Sequence, residues 1–247
     1  MTATQLGIAL RTYLLPLPWT RAFRFSVLGV AVVYLVAMLI RMIGRQHSGE
    51  EGELSFEMAR ALLMPGVPVF ALLVSELPLR EGLRHRTLLY PLLGPASRDA
   101  IALARAGATA VLFGLVFAVV VAGVAFIGGV PADRLGSPLL ATFLGGMAYV
   151  SIFGFLQLLV PRGLAAGMLW YFLLDEPIAK IPFELCRLSV AYHVRVLGHD
   201  HEFFGIPVSN FPAEQPTVSV LFLLGVTIVA LLATVALFRR RNLEELC

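Results

Sequence analysis

Long apolar blocks, separated by segments that carry nearly all of the charge, constrain this sequence most. One block, 106–128, has no charged residue and is long enough to cross a hydrocarbon core about 30 Å thick. Charged residues make up 14% of the chain, against about 25% in ordinary soluble domains. The mean hydropathy is +0.84. The sequence therefore predicts an all-α integral membrane protein with a single membrane domain and no soluble domain.

The apolar blocks predict six membrane-spanning helices. Their expected bounds are 25–43, 59–79, 106–128, 139–160, 164–185 and 217–238. Before them, residues 4–19 place leucines on one face, which predicts an elbow helix in the membrane interface. The fifth block continues into charged residues, so 186–216 is expected to form an external region whose re-entrant helices dip into the membrane. The fourth span carries small residues that allow close helix contact, namely Gly145, Gly146, Ala148 and Ser151.

Basic residues collect on one side of these predicted spans. The segment 80–98 is rich in arginine and the last span ends in Arg239, Arg240 and Arg241, whereas the loop 44–57 is acidic. Because arginine-rich loops stay cytoplasmic, both termini are expected in the cytoplasm of a cell whose plasma (inner) membrane holds the chain. The net charge of +3 is explained by these span ends, and no basic and aromatic patch indicates nucleic acid as a partner.

The basic segment 80–98 has its own helical pattern. Leu83 and Tyr90 belong to an apolar stripe opposite an arginine and histidine face. Ser97 is expected to cap the next helix, with Asp99 in the first turn, where the helix dipole favours a carboxylate. Two interpretations fit the pattern: a docking element outside the membrane, or a connector whose arginines only fix the topology.

Sequence motifs exclude several kinds of chemistry. Lys180 is the only lysine and no phosphate-binding loop surrounds it, so this chain is not expected to bind ATP or to be an enzyme. His201 opens a HEFFG stretch that lacks the second histidine of a zinc protease motif. His193, His199 and His201 fit either an external soft-metal site or histidines scattered in an aqueous loop. No catalytic residue, cofactor site or metal site is assigned.

Charged residues at the expected outer end of the fifth span offer a candidate pathway. Asp175 and Glu176 follow Trp170 and Tyr171 directly in an otherwise apolar block. Ionisable groups inside a membrane often mark a substrate path. An aromatic belt at the membrane interface explains Trp170 and Tyr171 equally well. Both interpretations of these four residues stay open.

One resemblance to a known family is carried by the basic segment. Glu81 is followed by Thr87, Leu88 and Leu89, then by Pro95 and by Ser97 and Arg98 at the start of the next span. This order resembles the type-2 permeases of ABC transporters, and so does the layout of an elbow helix, six spans and a re-entrant region. Members of that family often have glycine before the threonine, where this chain has Arg86.

The resemblance implies the transmembrane subunit of an exporter. Its expected partners are two cytoplasmic ABC ATPase subunits, which supply ATP and magnesium, a second copy or a homologous permease, and membrane lipids. Segment 80–90 would be the coupling helix that contacts the ATPase. The resemblance assigns ATPase coupling to Glu81, Leu83, Arg84, Arg86, Thr87, Leu88, Tyr90, Pro95 and Arg98.

Two hypotheses from other classes compete with this one. The first is an integral membrane enzyme that acts on lipids through Glu76, Asp175, Glu176 or the histidines. The second is a membrane anchor for an external metal-handling complex, built on His193, His199 and His201. The sequence does not identify a transported substrate.

Overall fold

A computed structural model describes most of the chain beyond residue 96 and parts of the chain before it. The described residues are 3–14, 38, 66–76, 79, 97–128, 131–132, 135–181, 183–198, 202–203, 206–207 and 215–240. The coupling positions 81–95 lie outside these ranges, as does the first expected span except for Met38.

The described residues are almost entirely helical. In chain order the elements are α1 (Ala3–Leu14), α2 (Val67–Val74), α3 (Arg98–Gly128), α4 (Gly136–Leu159), α5 (Gly163–Trp170), a π-helical turn (Tyr171–Asp175), α6 (Glu176–Ala179), a 3-10 helix (Glu184–Leu188), α7 (Val190–Gly198), β1 (Glu202–Phe203), β2 (Ile206–Pro207) and α8 (Pro216–Arg240). The two strands pair antiparallel over two residues each.

Three of these helices are long and apolar enough to cross a membrane. They are α3, α4 and α8. They overlap the expected spans 106–128, 139–160 and 217–238, and α3 begins eight residues earlier than expected. The prediction of a helical membrane protein is confirmed in this form. The number of six spans stays a prediction.

Helices α3, α4 and α8 pack against one another and form the centre of the fold. Small residues of α4 allow close contact with α3 and with α7, as the sequence predicts for this helix: Gly146 lies against Gly114 of α3, and Gly145 lies against Val194 of α7. Phe153 and Leu223 belong to the same buried core, at 1% and 0% exposure. Close backbone approach at small residues is a normal way for membrane helices to pack, because lipid gives no hydrophobic drive for association.

The chain between α4 and α8 is interrupted several times. Helix α5 continues through the π-helical turn into α6, and a 3-10 helix then leads into α7. Residues 190–195 of α7 are all buried, although the stretch includes a histidine and an arginine. Helix α7 packs on both α4 and α8. The histidine and the arginine of α7 are therefore enclosed by protein, and burial against protein is what permits irregular backbone inside a membrane.

A small apolar cluster joins one end of several helices. We call it the basic-end cluster because the helix termini beside it carry arginines. Its buried members come from α1, from the residue before the basic segment, and from α3, α4 and α8, and they are Ala9, Leu79, Ile101, Ala102, Ala104, Leu158 and Phe238. The start of α3 and the ends of α4 and α8 therefore lie at the same end of the molecule.

Helix α1 is attached to α3 by a polar contact as well as by this cluster. The Thr109 hydroxyl donates to the Arg105 carbonyl at 2.8 Å, so the Tyr13 hydroxyl is the donor in its 2.6 Å bond to Thr109. The Arg105 guanidinium lies 5.2 Å from the centre of the Tyr13 ring, within cation–π distance. Tyr13 and Arg105 are buried, so α1 is held to α3 by a desolvated pair.

This contact makes a testable prediction. Tyr13→Phe removes one hydrogen bond and should lower the free energy of unfolding by about 1 kcal/mol. Tyr13→Ala also removes the buried ring and the cation–π contact, and should cost about 3 kcal/mol. Equilibrium unfolding in detergent measures both, and trypsin cleavage after the exposed Arg11 should accelerate for the alanine variant. Equal cleavage of both variants would show that the Tyr13 ring does not hold α1.

Candidate functional site

Asp175 is the centre of a buried polar cluster. It ends the π-helical turn between α5 and α6 and is 3% exposed. Its Oδ2 accepts from the Tyr149 hydroxyl at 2.7 Å and from the Ala191 N–H at 3.2 Å. Its Oδ1 accepts from the Val190 N–H at 2.8 Å and from the Ser189 hydroxyl at 2.9 Å, and this hydroxyl lies equally close to the Asp175 backbone carbonyl. Four protein donors therefore converge on one carboxylate.

The start of α7 explains two of these donors. The first N–H groups of a helix have no partner inside the helix. Here Asp175 accepts from the first two, and Ser189 accepts from the Tyr192 N–H at 3.2 Å as the residue preceding the helix. The positive end of the helix dipole also favours a negative charge at this position. Asp175 thus caps a helix that begins fifteen residues further along the chain.

The arrangement suits an ionised carboxylate. Each oxygen of Asp175 accepts two hydrogen bonds, one from a hydroxyl and one from the backbone. An ionised carboxylate has about four acceptor positions, and four donor groups lie within hydrogen-bond distance of this one. Bonds from a buried donor to a charged group are also stronger than bonds between neutral groups. A ligand that approached Asp175 would have to displace one of these protein donors.

The cluster lies at mid-length of α4. Tyr149 is thirteen residues after Gly136 and ten before Leu159, which is about 20 Å and about 15 Å along the helix. From sequence, Asp175 is expected at the outer end of a span, but its partner stands in the middle of a helix long enough to cross a membrane. A buried carboxylate is costly unless hydrogen bonds stabilise its charge, and these donors supply such bonds.

Aromatic rings surround the cluster on one side. The Tyr149 ring stacks on Phe153 with centres 5.7 Å apart, and Trp170 meets both rings edge-on. Tyr171 also meets Tyr149 edge-on, at 5.9 Å, and is buried. The structure therefore brings three of the four candidate path residues, Trp170, Tyr171 and Asp175, around the single side chain of Tyr149. Whether substrate passes here stays a prediction.

Glu176 does not join this cluster. Its carboxylate forms an ion pair with Lys180, one helical turn further, at 3.0 Å. Both side chains are partly exposed, at 19% and 41%. Of the two adjacent acidic residues, one is enclosed by hydrogen-bond donors and the other lies in an ordinary partly exposed pair.

Sequence reasoning missed Tyr149 and Ser189. Ser189 directly precedes the apolar stretch that becomes α7, and a serine at that position is a recognised helix-start signal. Tyr149 gave no comparable signal, because a single hydroxyl in an apolar span has no spacing that points to Asp175, twenty-six residues away.

His193 has both ring nitrogens engaged. Its Nε2 lies 2.9 Å from the Arg187 carbonyl and must be the donor, so in the neutral ring Nδ1 accepts from the Ser219 hydroxyl at 2.9 Å. The ring also stacks on Phe222, with centres 4.0 Å apart. A metal would have to replace one of these bonds. Within the described ranges, no group of three metal-binding side chains occurs, and His199 and His201 lie outside them.

Of the residues expected to couple to the ATPase, only Arg98 lies within the described ranges. Arg98 is exposed in the first turn of α3. The predicted cap is confirmed, because the Ser97 hydroxyl accepts from the Ala100 N–H at 3.2 Å, and Asp99 lies in the first turn. The other coupling positions, Glu81 to Pro95, fall outside the described residues.

Comparison with known proteins adds no assignment to this geometry. No family model matches the chain, and no curated protein matches its sequence.

Proposed function

We propose that this chain is the permease subunit of an ATP-driven exporter of the ABC type-2 kind. It lies in the inner membrane with both termini in the cytoplasm. It pairs with a second permease and with two ATPase subunits, which bind segment 80–98 and supply all of the ATP hydrolysis. The motif around Thr87 and Pro95 is the source of this proposal, and three features of the fold support it.

The basic-end cluster is the observation that carries the proposal. Leu79 directly precedes the basic segment and Ile101 follows it, and both are buried in this cluster, at 2% and 1% exposure. Leu158 of α4 and Phe238 of α8 belong to the same cluster. A subunit that displaced the basic segment would therefore push on the ends of three long helices together. Closely packed side chains transmit such a displacement because they compress little.

Charge at the same end supports a cytoplasmic position. Arg98 begins α3, Arg162 follows α4, and Arg239 and Arg240 end α8. All four are exposed. A shared arginine-rich end is the pattern that keeps loops in the cytoplasm. This is also the side on which an ATPase has access to ATP.

The interrupted chain between α4 and α8 supports a transport role. Broken helices at membrane depth are tolerated where protein encloses them, and in transporters they often border a substrate path. Here the break occurs at the π-helical turn, next to the buried Asp175. A path beside Trp170, Tyr171, Asp175 and Glu176 belongs to the proposal.

The two competing functions gain no support from the described residues. A lipid enzyme that used Asp175 would have to release a carboxylate with four protein donors. A metal anchor that used His193 would have to break one of two hydrogen bonds. Both functions also leave the arginine-rich segment and its apolar stripe without a role.

Aspartate substitutions in the basic segment test the proposal. In Leu83→Asp and Tyr90→Asp, a charge replaces an apolar anchor of the coupling helix. Each should weaken ATPase binding about 30-fold, because loss of an interface anchor costs about 2 kcal/mol. The tagged chain is purified from membranes of its native cells, and magnesium-dependent ATPase activity in the eluate is measured together with mass spectrometry for a protein with a Walker motif.

The matched control is Ala132→Asp, which puts the same charge on the exposed turn between α3 and α4, away from the basic-end cluster. This variant should keep its ATPase. All three variants should be inserted at wild-type levels. Recovery of equal ATPase activity with Leu83→Asp, Tyr90→Asp and the control, or its absence from the wild-type eluate, would refute the proposal.

A further inference from the structure

A small cavity lies between α2, α3, α4 and α8, next to the basic-end cluster. Four buried polar side chains line it: Ser75 at the end of α2, Ser151 and Gln157 on α4, and Thr234 on α8. Each is no more than 3% exposed. The other described residues of the lining are apolar, and none of them is acidic or basic.

The hydroxyl protons of Ser75, Ser151 and Thr234 are already used in hydrogen bonds to backbone carbonyls. Ser75 donates to the Leu72 carbonyl at 2.7 Å, and Ser151 donates to its own helix at 2.8 Å, as does Thr234. A hydroxyl that donates its proton keeps lone pairs that accept. The three oxygens that line the cavity are therefore acceptors, and a ligand between them must donate hydrogen bonds. The Gln157 amide adds a group that both donates and accepts.

The charge of the lining and the volume of the cavity limit which ligands it can bind. None of the described lining residues is acidic, so among them a cation would lose its hydration without a countercharge, which is very costly in an apolar interior. The free space holds about one water molecule. Gly154 also borders it, and a Cβ added at that glycine would meet no atom within 4 Å. The open space thus reaches the surface of α4.

We propose that this cavity binds one water molecule, which donates its two protons to the Ser75 and Thr234 hydroxyl oxygens and accepts a hydrogen bond from the Gln157 amide of α4. A buried water usually makes about three hydrogen bonds, and the lining offers that number. It would tie the end of α2, just before the basic segment, to α4 and α8. The proposal does not depend on the proposed function.

A double-mutant cycle tests the bridge. Ser75→Ala and Thr234→Val each remove one acceptor from different helices, and each should lower Tm by about 3 °C. The double variant should lower Tm by little more than either single variant, because one water is lost only once. Strictly additive Tm changes in the full-length chain would overturn the proposal, since unlinked sites add.

An experimental map supplies a second test. A map that shows ordered waters should have density for one water beside Ser75 and Thr234 in the wild type. The same density should be absent from the Ser75→Ala, Thr234→Val double variant, which lacks both acceptors. A wild-type map without that density would contradict the proposal.

Discussion

Asp175→Ala is expected to lower the free energy of unfolding by about 4 kcal/mol, one of the largest losses available to a single substitution in this chain. The change leaves the Tyr149 hydroxyl and the first N–H groups of α7 without their acceptor, whereas the Ser189 hydroxyl can still donate to the backbone carbonyl of residue 175. Each buried donor left in this way costs about 1–3 kcal/mol, and local relaxation recovers part of the total. Equilibrium unfolding of the purified chain in mixed micelles measures the loss.

Asp175→Asn removes the negative charge and keeps the shape of the side chain. The amide oxygen still accepts two hydrogen bonds, but the amide nitrogen faces two donors that it cannot satisfy. The expected cost is about 2 kcal/mol, between wild type and alanine. Hydrogen exchange of the Val190 and Ala191 amides should accelerate in both variants, because these N–H groups bind the carboxylate directly.

Glu176→Gln is the matched control for Asp175. It neutralises the adjacent carboxylate, whose partly exposed pair with Lys180 contributes at most about 0.5 kcal/mol. The control should therefore unfold almost like the wild type. Similar losses for Asp175→Asn and Glu176→Gln would mean that the four hydrogen bonds do not stabilise the fold, and the role of Asp175 as the cap of α7 would have to be abandoned.

Gly114→Val should cost about 3 kcal/mol through overpacking of α3 against α4. A Cβ at Gly114 would lie 2.7 Å from the carbonyl oxygen of Phe143 and 3.2 Å from the Met147 side chain. The nearest of these atoms belongs to backbone, so it cannot rotate away and the two helices must separate. Separation would loosen the rest of the core, because Phe113 and Phe117 lie on the same face of α3.

Gly107→Val provides the comparison on the same helix. A Cβ at Gly107 meets no atom within 4 Å, so valine there changes only the helix propensity, which favours valine over glycine by a few tenths of a kcal/mol. Thermal unfolding of the two variants in detergent should show a drop of several degrees for Gly114→Val and almost none for Gly107→Val. If the two variants had the same Tm, the close contact between α3 and α4 at Gly114 would be refuted.

The contact at Gly114 and the cap at Asp175 belong to different parts of the proposed transport mechanism. The contact at Gly114 fixes α3 and α4 as one unit, and the ends of both helices reach the basic-end cluster. The cap at Asp175 fixes the interrupted segment to the middle of that unit through Tyr149. In the proposed permease, motion from the basic segment would therefore reach the buried carboxylate through α4.

The elements that the sequence predicts well are those set by local composition. Residues 106–128 have no charge, and in a bilayer such a stretch can satisfy its backbone only as a helix, so α3 is expected from sequence alone. The cap at Ser97 depends on groups three residues apart. The contact at Gly146 depends on small residues that are visible in one span.

The interrupted region is harder to predict for a physical reason. Its expected span, 164–185, is divided in the structure between α5, the π-helical turn, α6 and the start of the 3-10 helix. Short apolar stretches mixed with charges fit either a span or an external segment. Packing against α4 and α8 decides between them, because these helices supply the partners for the buried polar groups.

The sequence by itself determined that the chain is helical and enters a membrane, since both follow from the poor solubility of long uncharged segments in water and of bare peptide groups in lipid. It also placed Arg98, Arg239 and Arg240 at helix ends. Only the tertiary structure decided which groups donate hydrogen bonds to the carboxylate of Asp175. Its partners are fourteen to twenty-six residues away, and no repeating pattern connects residues that meet only when α4, the π-helical turn and α7 pack together.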